Sequence, residues 1–142
     1  MTDQADWAEG RRHAAAAHAD REATRRAGET ERARAVVADF VRGAQELGLR
    51  TQRLEVRPYS GRGTYRTDVE GWYVRRDRSL GIGADGAFYV LSVPASLRAR
   101  LTGARLEPSD PPLVAGRGGR DGHAMALDAL LRQRLDAGDD FG

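Results

Sequence analysis

Leu80-Gly81-Ile82-Gly83-Ala84-Asp85-Gly86-Ala87-Phe88-Tyr89-Val90-Leu91 is the stretch whose reading decides the fold. Asp-Gly between two alternating segments signals a β-hairpin, because a two-residue type I′ turn needs positive φ at both central positions. Pairing through such a turn sets Ala84 opposite Ala87, Gly83 opposite Phe88, Ile82 opposite Tyr89, Gly81 opposite Val90 and Leu80 opposite Leu91. Leu80, Ile82, Tyr89, Leu91 and Val93 then share one face, while Phe88 and Val90 cover glycines on the other. Apolar residues on both faces predict that both are at least partly covered, one by helix and the other by a tail or a partner.

Working outward, Ala33, Val36, Val37, Phe40, Val41, Ala44 and Leu47 recur at the spacing of one buried helical face. Gly48 suits the left-handed position after that helix, and Leu49 the hydrophobic contact beyond it. Gly43 inside the helix suggests close packing against the sheet. Strands are expected over Arg53–Arg57 and about Thr64–Arg75, with Gly71 marking a bulge or a change of buried face. Pro94–Thr102 reads as a short helix, Leu113 and Val114 as an edge strand, and Ala124–Leu135 as a helix with Leu127, Leu130, Leu131 and Leu135 on one face. The expected fold is therefore a single α+β domain: an antiparallel sheet of four to five strands packed against an N-terminal and a C-terminal helix. Residues 1–28 form a polar Ala/Arg-rich arm, helical or disordered, 29–135 the domain, and 136–142 an acidic, frayed tail.

Composition sets limits. The 142 residues are 40% hydrophobic and 31% charged, enough to bury a core without cross-links. With Cys 0, disulfides, thiolate catalysis and thiolate-bound zinc are excluded. No apolar run has the roughly 18 residues of a membrane span, and the N-terminus lacks the pattern of a secretory signal. A cytoplasmic protein with no membrane contact is expected. All 23 basic residues are arginine against 21 acids, for a net +2. Residues 1–50 sum to zero, 51–106 to +5 and 107–142 to −3, so an anionic partner is expected to meet the strands.

Candidate sites are few. Gly116-Arg-Gly-Gly-Arg-Asp-Gly122 sits between a strand and a helix, where backbone N–H groups and a helix dipole can hold an anion. Arg117, Gly118, Gly119, Arg120 and His123 are its candidate ligand-binding residues. It is neither a P-loop nor a dinucleotide fingerprint: no Gly-Lys-Ser/Thr follows, and Asp121, a suitable helix N-cap, occupies the place of the third glycine. Trp7, Tyr65, Trp72, Arg75 and Arg76 are candidate partner-binding residues, Trp7 as an anchor on the arm and the others as a basic, aromatic sheet region. Trp72 and Tyr73 have core packing as the competing role. His13 and His18, five residues apart, point to different helix faces and complete no metal set. No catalytic residue, metal site or cofactor is expected.

Gly71-Trp-Tyr-Val-Arg-Arg-Asp-Arg-Ser-Leu80 and Pro111-Pro-Leu-Val-Ala-Gly-Arg-Gly-Gly-Arg-Asp-Gly122 resemble a family of small proteins of high-GC actinobacteria with no assigned function. The resemblance covers the C-terminal half and implies no chemistry. The order of elements is also similar to that of type III secretion chaperone-like adaptors. The expected function is a non-enzymatic binding or adaptor protein acting through a sheet face or the N-terminal arm, with a protein partner or self-association. Binding of a small phosphate or nucleotide at the glycine loop is the alternative. Nucleic-acid binding by the basic sheet region ranks third.

Overall fold

The computed structural model describes residues 3–58, 63–93, 106–115 and 125–141. One helix, α1, runs unbroken over Asp3–Glu46. Its buried residues are Ala33, Val37, Phe40 and Ala44, one stripe at intervals of four, three and four, so only the C-terminal third faces a core. The expected boundary near residue 28 is thus a change in burial within one helix. Leu47, expected on the buried face, is 62% exposed because the helix has ended before it. Gly48 takes φ +67°, its N–H donates to Gln45 and that of Leu49 to Ala44, which satisfies the last carbonyls in a Schellman motif.

The strands are β1 (Gln52–Pro58), β2 (Tyr65–Tyr73), β3 (Leu80–Gly83), β4 (Phe88–Val90) and β5 (Ser92–Val93), in the spatial order β4-β3-β2-β1-β5. The first four are antiparallel neighbours, and β5 adds a short parallel edge to β1. A separate ribbon pairs β6 (Val114–Ala115) with β7 (Met125–Ala126). The last helix, α2, spans Leu127–Ala137. This is the expected α+β architecture, with both helices on one side of the sheet.

The hairpin register differs from expectation by one residue. Leu80 pairs with Val90, Gly81 with Tyr89 and Ile82 with Phe88. Gly86 N–H closes a turn onto Gly83, Gly83 N–H bonds Ala87, and only Gly86 has positive φ, at +92°. The loop therefore holds three residues and ends in a left-handed glycine, rather than two with Asp85 also left-handed. The Asp85 carboxylate accepts from the Ala87 N–H at 3.1 Å and holds the turn in that form.

That shift reassigns the faces. Trp72, Val74, Leu80, Ile82 and Phe88 point toward the helices, into the cluster holding Val37, Phe40, Leu127 and Leu131. Phe40 and Trp72 meet edge to face at 5.6 Å. Leu54, Val56, Tyr73, Tyr89 and Leu91 form a second cluster on the opposite face. Glycines are covered as expected, but by Tyr89 and Leu91: a Cβ on Gly81 would lie 2.8 Å from Leu91 Cδ1, and one on Gly83 3.2 Å from Tyr89. These five residues are each 5% exposed or less, so the chain itself covers this part of the second face, whereas Val90 at the β4 edge is 40% exposed. The bulge also moves. It lies where Thr67 to Val69 oppose Leu54, with the Thr67 hydroxyl donating to the Leu54 carbonyl, and Gly71 instead permits close approach to β3.

Two further expectations are corrected. Gly43 meets Leu135 of α2, not the sheet. The last helix starts at Leu127 with Ala126 at its N-cap, because Met125 and Ala126 are spent in β7, so Asp121 is not the cap. The expected helix at Pro94–Thr102 lies outside the described residues.

Candidate functional site

Two features stand apart from the packed core. One is a cleft of about 700 Å³ beside α2, with Val74, Ala115, Met125 and Leu130 among its apolar lining and Arg75, Arg76, Asp77, Gln133 and Asp136 as its polar rim. It opens where β2 turns into the segment Arg75–Ser79. Arg78 in that turn takes φ +62°, and Asp77 accepts from the backbone and hydroxyl of Ser79 at 3.0 and 2.5 Å. The turn thereby points Arg75 and Arg76 to one side. Arg75 is half-buried with its Nε 4.0 Å from Asp77, and Arg76 lies 5.5 Å from the ring of Phe141. Two arginines and two aspartates leave the rim electrically balanced.

Behind the cleft sits Arg134, 3% exposed on the apolar face of α2. Its guanidinium donates to the carbonyls of Tyr73 and Gly138, both at 2.6 Å, and stacks 4.5 Å from Phe141. Burial pulls its pKa down, opposed by the nearby Asp139 carboxylate. Asp139 in turn accepts from the Arg50 N–H at 3.0 Å. The tail is therefore anchored through residue 141 rather than frayed. Sequence reading missed both Arg134 and Phe141. The available signal was positional: Arg134 continues the Leu127, Leu130, Leu131 stripe and must enter the core.

The second feature is the free part of α1. From Asp3 to Ala27 every side chain is exposed except Ala8 and Glu22, which are half-buried, and a Cβ on Gly10 or Gly28 would meet nothing within 4 Å. At 1.5 Å per residue the segment 3–28 is about 40 Å long. Its side-chain bonds are within the helix: Arg25 to Glu22 at 2.6 Å, His18 to Glu22 at 3.8 Å and Thr24 to the Asp20 carbonyl at 2.9 Å. Trp7 is 63% exposed, with the Arg11 guanidinium 3.7 Å from its ring centre.

No family model, curated protein or solved structure is similar to this chain.

Arg75 and Arg76 come together at the cleft, and Trp7 stands alone on the arm. Tyr65 is half-buried at the start of β2, paired with Val56. Trp72 is 2% exposed, its indole N–H donating to the Leu49 carbonyl at 3.3 Å, so it packs the core and offers no surface. Arg117, Gly118, Gly119, Arg120 and His123 lie outside the described residues, but the residues on either side of that stretch, Ala115 and Met125, both line the cleft. Among the described residues no group of three or more His, Asp or Glu is arranged to hold a metal, and no helix is long and apolar enough to cross a membrane.

Proposed function

We propose that the chain is a binding or adaptor module that contacts another polypeptide through the projecting part of α1. The observation that carries this reading is the length of exposed helix, residues 3–27. A helix of this size gains most of its stability in a protein from burying a face, and residues 3–27 bury none. Alanine-rich propensity and Asp3 and Asp6 in the first turn favour the helical form. Growth from the docked turns at Ala33 onward avoids the nucleation step. The result is a preformed arm, which lowers the ordering cost of association. Among the described residues the large side chains of the sheet, Trp72, Ile82, Phe88, Tyr89 and Leu91, are buried by the chain itself, whereas Trp7 on the arm is 63% exposed.

A photo-crosslinking residue at Ala15, compared with one at Gln133, tests the proposal in cells. Adducts to a polypeptide at position 15, and few at 133, are expected; no adduct at 15, or adducts only at 133, overturns it.

A second reading has a specific observation behind it: Arg75, Arg76 and Gln133 line one cleft and offer donors to the oxygens of a small phosphate compound, with Asp77 and Asp136 opposing on the same rim. Thermal shift decides it. A rise in Tm with inorganic phosphate or nucleotides, reduced by Arg76→Ala, supports the reading, and no rise with any of them removes it.

A further inference from the structure

Trp7, Arg11, Ala14 or Ala15, His18, Glu22 and Arg25 follow one another at intervals of four or three, 18 residues over five helical turns, so they form a single stripe along the arm. Three of the contacts within the arm lie on it: Arg11 over Trp7, His18 with Glu22, and Glu22 with Arg25. The stripe is complementary to itself when reversed. Laid antiparallel on a second copy and centred between Ala16 and Ala17, it sets Arg11 against Glu22 and Ala15 against His18, with Trp7 within one residue of the level of Arg25. Each contact then occurs twice, by the two-fold symmetry of such a pair. A parallel pair in register would instead set Arg11 on Arg11, Glu22 on Glu22 and Arg25 on Arg25.

We infer that the partner of the arm is a second copy of this chain, held antiparallel through this stripe. The inference rests on the proposed binding role of the arm and names its occupant. Trp7 is the anchor: one face of its indole carries Arg11 of its own helix, and the other receives Arg25 of the second copy. The alanines at the crossing let the two backbones approach closely. The flanks do not oppose this arrangement, since Arg12 and Arg21 project from opposite sides of the helix and do not meet. Charge contacts carry much of the recognition, so salt weakens the pair.

Sedimentation velocity of the full chain over a range of concentrations tests the inference. Wild type is expected to dimerise. Arg11→Glu and Glu22→Arg should each raise the dissociation constant about tenfold, because two attractions become two repulsions. The double variant Arg11→Glu/Glu22→Arg should recover to within about threefold of wild type, since the pair is restored with its signs exchanged. Circular dichroism of each variant checks that the helix persists. A nitroxide attached through Asp3→Cys reads orientation: about 40 Å between the two labels for the antiparallel pair, under about 20 Å for a parallel one. Monomers at every concentration, single variants that dimerise like wild type, a double variant with no recovery, or the short label distance would each overturn the inference. If the chain is monomeric but position 15 crosslinks to a different protein, the inference fails and the binding role of the arm stands. If position 15 crosslinks to nothing, both fail.

Discussion

Arg134 donates through Nε to the carbonyl of Tyr73 at 2.6 Å, joining α2 to the last residue of β2. A second bond to Gly138 and a stack on Phe141 complete the enclosure of its charge. Buried ions are retained where their hydrogen-bonding groups are satisfied, and here two carbonyls and a ring face meet a planar fork.

Arg134→Lys tests that enclosure. An ammonium has neither the fork geometry to hold both carbonyls nor a planar group to stack on Phe141. A loss of about 2 kcal/mol in urea unfolding is expected, together with faster exchange of the Arg50 amide as Asp139 is released. A variant as stable as wild type would show that the two bonds contribute little.

Gly71→Ala should be among the most harmful substitutions in the chain. Its Cβ would enter the space of the Ile82 carbonyl oxygen and lie 2.7 Å from Gly83 Cα, both backbone atoms of the paired strand. The sheet must part to admit it. A loss of about 3 kcal/mol or more, or failure to fold, is expected. Gly43→Ala is the contrast, since the new methyl meets only the mobile end of Leu135 at 3.2 Å. The gain in helix propensity offsets that contact, and the variant should lie within about 1 kcal/mol of wild type.

Tyr89 links stability to alkaline pH. Its pKa is raised, first by burial and then by Asp85 and Asp68. With the folded value above the unfolded one, the unfolded chain loses this proton first as pH rises. The contribution is therefore complete below the ordinary tyrosine value of about 10 and is lost above it. Urea midpoints should fall more steeply above about pH 10 in wild type than in Tyr89→Phe. Equal slopes would dismiss the effect.

Removing residues 1–28 should leave the domain intact, because nothing between Asp3 and Ala27 is buried. Mean residue helicity should drop, the near-ultraviolet signal of Trp72 should persist, and the free energy of urea unfolding, measured at a concentration where the full chain is monomeric, should stay within about 0.5 kcal/mol of the full chain. A large loss of stability would mean that the arm packs on the domain.

The cleft was only partly legible. Arg75 and Arg76 are adjacent in sequence, and their shared place follows from the turn beyond β2, which the Arg75–Ser79 polar stretch already signals. That Ala115, Met125 and Gln133 face them is a matter of how the β6–β7 ribbon and α2 pack, and no local pattern encodes it. Trp72 shows the same divide. An aromatic in a basic strand fits either a core or a surface, and only the position of Phe40 decides which.

Local physics in the chain specified the helical stripe of Ala33, Val37, Phe40 and Ala44, the left-handed cap at Gly48, and the existence of a reversal at Asp85-Gly86, since each depends on neighbours a few residues apart. Tertiary packing decided the register of that reversal. Two- and three-residue loops both accommodate Asp-Gly, and their local energies are close. Their side-chain sets fall on opposite faces, so the choice rests with the whole layer: Phe88 and Leu80 fill space beneath α1 and α2, while Tyr89 and Leu91 close over Gly81 and Gly83. A strand alternates with period two, and a shift of one residue exchanges every inward side chain for an outward one.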